Sequence, residues 1–165
     1  MSYRLNVNMV LCRKYNNETK TINKIFNEIT TNDKHEVSFS IITFVNGVGH
    51  EQPEERFVLH YFLVEKNADY QGKRLGLYLG ATGFYRNNRE GYDNERCLSS
   101  TDNTFAEMAF ENVPFLKETE YCIEVYKAEG TLEEDYETLR EKAQKLKETT
   151  ELISYVSFNV NYPKM

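Results

Sequence analysis

The chain has 165 residues, 40% hydrophobic and 28% charged, with mean hydropathy −0.65, net charge −6 and a pI near 5.2. That length leaves room for one domain with a sizeable core, and the composition excludes wholesale disorder. The acidic balance argues against direct nucleic-acid binding, which needs a basic footprint, and no run approaches the roughly 20 apolar residues of a membrane helix.

The first segment, MSYRLNVNMV, has no basic patch followed by an apolar core, so a cytoplasmic protein is expected. Within it Tyr3, Leu5, Val7, Met9 and Leu11 alternate with polar residues, the period of a strand with one wet face. A turn-rich stretch follows from Lys14 to Lys20. Ile22, Ile25, Phe26 and Ile29 then fit a helix period as well as a strand. Val37 to Val45 is rich in β-branched and aromatic residues. Arg56 to Glu65 (RFVLHYFLVE) is apolar on both faces and is expected at the centre of a sheet, covered on both sides. Leu75 to Phe84 alternates around glycines, and we read Gly80 and Gly83 as bulges or irregularities. Phe105 to Val113 ends at Pro114. Cys12, Cys97 and Cys122 are odd in number and widely spaced in strand-like text, as reduced core thiols would be.

Phe115 to Tyr126 reads FLKETEYCIEVY: an apolar anchor, a polar turn, then Tyr121, Ile123 and Val125 at every second position. A tyrosine opening such a strand resembles the tyrosine corner of immunoglobulin- and fibronectin-like sandwiches. The resemblance implies a hydroxyl tied back to the connecting backbone. Next, Thr131 with Glu134 forms a capping-box pattern, acidic residues crowd the start and lysines the end, so a helix is predicted over about 131–150. Its stripe of Leu132, Tyr136, Leu139, Ala143 and Leu146 should pack on the domain itself; a homodimer seam is the alternative. Leu152 to Val160 is the last strand.

Short neighbouring strands, one helix and a final strand predict a single mainly-β domain over 1–165. The expected architecture is an antiparallel two-sheet β-sandwich with one long α-helix inserted before the last strand. KIFNEI (Lys24 to Ile29), SFSIITF (Ser38 to Phe44) and FVLHYFL (Phe57 to Leu63) also give the chain a resemblance to uncharacterised small bacterial β-sandwich proteins, which implies the fold alone.

No zinc spacing joins His35, His50 or His60, no serine elbow is present, and no glycine-rich loop with a following lysine offers a phosphate cradle. His60, inside the most apolar strand, reads as a core histidine with a hydrogen-bond partner. His50, beside Glu51, Glu54 and Glu55, reads as solvated charge. Asp69, Asp93 and Asp102 fall in candidate loops but lack the dense aspartate spacing of calcium sites. No catalytic residue, metal or cofactor is therefore assigned.

The segment from Gly83 to Glu95, GFYRNNREGYDNE, carries Tyr85, Arg86, Arg89 and Tyr92, residue types enriched in binding hot spots, and is the sequence's candidate binding surface. The leading expectation is a non-catalytic binding or assembly module whose partner is another protein. The alternatives are a carbohydrate- or small-ligand-binding sandwich, an acidic nucleic-acid mimic that inhibits a basic-grooved enzyme, and an enzyme whose site is assembled from distant residues.

Overall fold

The computed structural model describes residues 4–48, 56–70, 73–86, 95–98, 104–129, 135–150 and 152–164. Its strands are β1 (Arg4–Asn16), β2 (Thr21–Ile25), β3 (Glu28–Thr30), β4 (Glu36–Val48), β5 (Arg56–Tyr70), β6 (Lys73–Arg86), β7 (Glu95–Leu98), β8 (Thr104–Pro114), β9 (Glu120–Glu129) and β10 (Ser154–Asn161). The helix α1 (Tyr136–Thr149) precedes β10. One sheet runs β2-β1-β4-β8 and the other β3-β10-β9-β5-β6-β7. The protein is thus the mainly-β two-sheet sandwich, with one helix before the last strand, that the patterns predict. Pairing is antiparallel except for β10 with β3 and β6 with β7, which are parallel.

Alternation builds the core. Val7 and Leu11 of β1 and Val37, Phe39, Ile41 and Val45 of β4 face Phe57, Leu59, Tyr61 and Leu63 of β5 and Tyr121, Ile123 and Val125 of β9 in one buried cluster. Strand β5 does have both faces covered. Its other side chains, Phe62 and Val64, join Tyr78, Tyr126 and Ala143 of α1 in a second cluster beneath the helix. The core also carries polar cross-ties. The Tyr61 hydroxyl meets Thr43 Oγ1 of the opposite sheet at 2.8 Å and Thr82 Oγ1 at 3.1 Å. Buried hydroxyls that satisfy one another fix how the two sheets register.

Ile22 to Ile29 is neither one helix nor one strand. It divides into β2 in one sheet and β3 in the other, and Phe26 between them packs edge-on against Phe39 and Phe158 at 6.3 and 6.0 Å. In β6, Gly80 has φ +139 and lies where the ladder with β5 slips, Tyr61 pairing Gly80 but Phe62 pairing Tyr78. The extra residue reverses the alternation: Thr82 and Phe84 point into the core on one side of the bulge, while on the other Leu79 does so and Tyr78 turns to the helix. Gly83 holds regular register opposite Val58. Cys12 and Cys122 are buried and unbridged.

The tyrosine corner is present. Tyr121 donates its hydroxyl to the Lys117 carbonyl at 3.0 Å and accepts the Lys117 N–H at 3.3 Å, with its ring edge-on to Phe115 at 4.9 Å. Tyr121→Phe should lower the free energy of unfolding by about 1–2 kcal/mol, at about 0.5–1.5 for each bond lost. Urea denaturation measures this; an unchanged midpoint would show that the tie is decorative.

The helix is capped by Asp135, whose carboxylate accepts the Thr138 N–H at 2.9 Å. Thr131 and Glu134, the expected capping box, and Leu132 lie outside the described residues. The Thr138 bonds hold the Asp135 carboxyl below the usual carboxylate range. A depressed folded pKa makes the cap's contribution complete above the ordinary carboxylate range and loses it as pH falls through the lowered value. Helical circular dichroism should therefore decline in acid more steeply for the native chain than for Asp135→Asn, which caps without titrating.

A candidate binding pocket beside the helix

The sequence's candidate surface cannot be followed as a unit. Tyr85 and Arg86 close β6, where the backbone alone is described, and Arg89 and Tyr92 lie outside the described residues. His50 also lies outside them. His60 is 3% exposed and shares a 2.9 Å hydrogen bond between its Nδ1 and the Tyr78 hydroxyl, the core arrangement expected of it. Burial pushes that Tyr78 hydroxyl well above the usual phenol range. Tyr136 anchors the helix start above it, donating to the Tyr78 carbonyl at 3.1 Å.

Of the helix stripe, Leu139, Ala143 and Leu146 are used internally, while Tyr136 stays half exposed. Ala143 is fully buried, and Leu139 and Leu146 pack on Phe62, Val64, Tyr78 and Tyr126. Lys147 joins this contact in an unusual way. Its side chain is 11% exposed, its Nζ lies 3.8 Å from Glu124 Oε1 and 4.8 Å from the centroid of the Phe62 ring. Glu124 itself is 2% exposed and accepts a long 3.5 Å bond from the Tyr126 hydroxyl. Gly76 makes the room: a Cβ there would stand 2.6 Å from Lys147 Nζ, inside any real contact.

The other side of Glu124 opens on a pocket. In β9, the even positions Cys122 and Glu124 point away from the sandwich core. The antiparallel register with β10 sets Tyr155 opposite Glu124 and Ser157 opposite Cys122. Lys66 of β5 and Leu152, ahead of β10, complete a cavity of about 170 Å³. Its floor is polar and buried, with Cys122 3% and Glu124 2% exposed; its rim is apolar and open, with Leu152 39% and Tyr155 62% exposed.

The charges around the pocket are balanced in pairs. Lys66 bonds Glu120 at 2.8 Å, and that bond holds the Lys66 ammonium above its usual range. Lys117 reaches Glu65 at 3.3 Å. Among the described residues no three histidine, cysteine or acidic side chains cluster as metal ligands do. No helix among them is long and apolar enough to cross a membrane.

Sequence reasoning missed this pocket. Its one local signal is Glu124, a charge set in the apolar run from Tyr121 to Tyr126. Compared with protein-family models, curated proteins and solved structures, the chain matches none.

Proposed function

We propose that the protein is a non-catalytic binding module whose partner is another protein, held at the pocket between β9, β10 and the end of β5. The observation that carries this reading is the pairing of two exposed apolar side chains, Leu152 and Tyr155, with a concave, buried polar floor. Exposed apolar groups scattered singly need no explanation, but two flanking one cavity form the anchor-and-rim pattern of a contact site. Size favours a protein partner over a free ligand. About 170 Å³ falls below the roughly 300 Å³ at which cavities begin to enclose drug-sized molecules, and suits one inserted side chain. The packing of Leu139, Ala143 and Leu146 against the sheet disfavours the helix stripe as the contact.

The test is an affinity capture with the native chain and with Leu152→Ser/Tyr155→Ala, both exposed positions whose change leaves the core intact. The variant should keep its unfolding temperature and lose a defined set of captured proteins. Capture of the same set by both chains would sink the pocket as the contact. In that event the Tyr85, Arg86, Arg89 and Tyr92 segment becomes the surface to truncate, by joint alanine replacement.

A further inference from the structure

We propose that the last turn of α1 is a gate on the pocket. While the turn is docked the floor at Cys122 and Glu124 is covered; when it lifts, the floor opens with the sandwich still folded. As regulation of a partner's access the gate rests on the protein-binding reading above; as a motion of the helix it does not.

The turn holds both floor and rim. Lys147 reaches Glu124, a floor residue, at 3.8 Å. Leu152, on the rim, stands two residues after Thr150, which is tied back to the helix: its N–H and its hydroxyl both donate to the Leu146 carbonyl, at 2.9 and 2.7 Å. On its other side Leu152 adjoins Ile153, whose N–H donates to the Val125 carbonyl of β9 at 2.8 Å. Leu152 therefore hangs between the helix and β9 on a chain that reaches only about 3.5 Å per residue. It loses one of its two fixed points when the turn moves.

The two ends of the helix are held unequally. The start has the Asp135 cap and the Tyr136 anchor, which donates to the Tyr78 carbonyl at 3.1 Å and lies 5.5 Å from the Tyr78 ring. The last turn rests on Leu146, only partly buried, and on the Lys147 ammonium, set against Glu124 and 4.8 Å from the Phe62 centroid. Attraction across 3.8 Å offsets the desolvation of that pair only in part, and lifting the turn returns both charges to water. The Thr150 bonds run within the helix and give the turn no hold on the sheet. A helix end with so few apolar anchors opens before the domain unfolds, and the opening stops at Ala143, which is fully buried.

The chain carries its own reporters. Cys122 is 3% exposed at the pocket floor, and Cys12, 0% exposed in the other sheet, reports unfolding of the sandwich. In the full chain with Cys97→Ser these are the thiols that remain. Alkylation of each by iodoacetamide is followed by peptide mass at low urea concentrations, and each rate is divided by that of the fully denatured chain. Cys122 should react at least about tenfold faster than Cys12, and with a shallower urea dependence, because lifting one turn exposes little surface. Leu146→Ala weakens the docked turn without touching the pocket lining. It should raise the Cys122 rate relative to Cys12 by a further factor of about ten, below the full cost of deleting a buried leucine. Leu139→Ala, nearer the helix start, should raise it clearly less.

Equal rates and equal urea slopes at the two thiols would show that the floor opens only when the sandwich unfolds, and would overturn the gate; this comparison decides even where Leu146→Ala fails to fold. Immediate reaction of Cys122, unchanged by Leu146→Ala, overturns it as well, since the floor would then be open with the turn docked. Equal acceleration by Leu139→Ala and Leu146→Ala overturns the last turn as the moving part. Gated labelling, with capture indifferent to Leu152→Ser/Tyr155→Ala, removes the protein-binding reading and leaves the motion standing. Capture lost in that variant without gated labelling does the reverse.

Discussion

Phe158→Ala should lower the free energy of unfolding by about 3–5 kcal/mol, the usual cost of deleting a buried ring. Phe158 is 2% exposed, and its ring lies 6.0 Å from Phe26, 6.3 Å from Phe39, 6.0 Å from Phe115 and 6.1 Å from Tyr121. Those partners come from both sheets, from the crossing between β2 and β3, and from the corner before β9. Each is tied to its own ladder or turn, so none can move far to refill the hole, and a hole that cannot collapse keeps the full cavity penalty. A typical domain has only about 5–15 kcal/mol in reserve, so the variant should sit close to its unfolding transition at physiological temperature. Urea denaturation, with slope and midpoint both fitted, gives the number. Phe158→Leu, which refills part of the volume, should cost clearly less. A loss below roughly 1 kcal/mol for the alanine variant would mean that the five rings do not form one packed cluster.

The same residues show why some of this fold is legible in one dimension. Alternation is a property of each strand alone, so Val7 and Leu11, or Tyr121, Ile123 and Val125, announce their buried face without knowledge of the partner strand. The doubly apolar run from Arg56 to Glu65 likewise announces a strand covered on both sides. The tyrosine corner is legible because both its ends, Lys117 and Tyr121, lie within one turn of chain.

What is decided by distant contacts is not legible. Ile22 to Ile29 carries apolar residues at spacings that suit a helix or a strand, and the choice falls to Phe26, which wedges between Phe39 and Phe158 and sends the chain from one sheet to the other. The parallel pairings of β3 and β7 depend on where the edges of the second sheet happen to be free. The reversal in β6 needs one glycine at φ +139, and Gly76 and Gly83 of the same strand do no such thing. The helix start offers Thr131 and Asp135 as nearby caps of comparable intrinsic quality, and local chemistry alone does not choose between them. The pocket is the extreme case. Lys66, Cys122, Glu124, Leu152, Tyr155 and Ser157 meet only because β9 lies between β5 and β10.

The buried pair under the helix should give the second large effect, and a reversal with it. Glu124→Ala, or Lys147→Ala, should destabilise the protein by about 3–5 kcal/mol, because each leaves its opposite charge deep between helix and sheet. Both side chains are nearly sealed, at 2% and 11% exposed, so water replaces the missing partner far less than it would at a surface pair. The 3.8 Å separation is longer than a hydrogen-bonded ion pair, so attraction offsets the desolvation of the two charges only in part. Removing both charges together, as Glu124→Leu with Lys147→Met, should therefore restore stability to near the native value or above it. The double-mutant cycle should show strong coupling of the two positions. Gly76→Ala supplies an independent check, since its methyl group would occupy the space of the Lys147 ammonium and force it away from Glu124 without deleting either charge. That variant should lose less stability than Lys147→Ala, since the ammonium is the tip of a flexible side chain that can shift, and adding Lys147→Met to it should recover part of the loss by removing the displaced ammonium. Additive single losses would mean that the Glu124–Lys147 pair adds nothing to the hold that Tyr136, Leu139, Ala143 and Leu146 give the helix on the sheet.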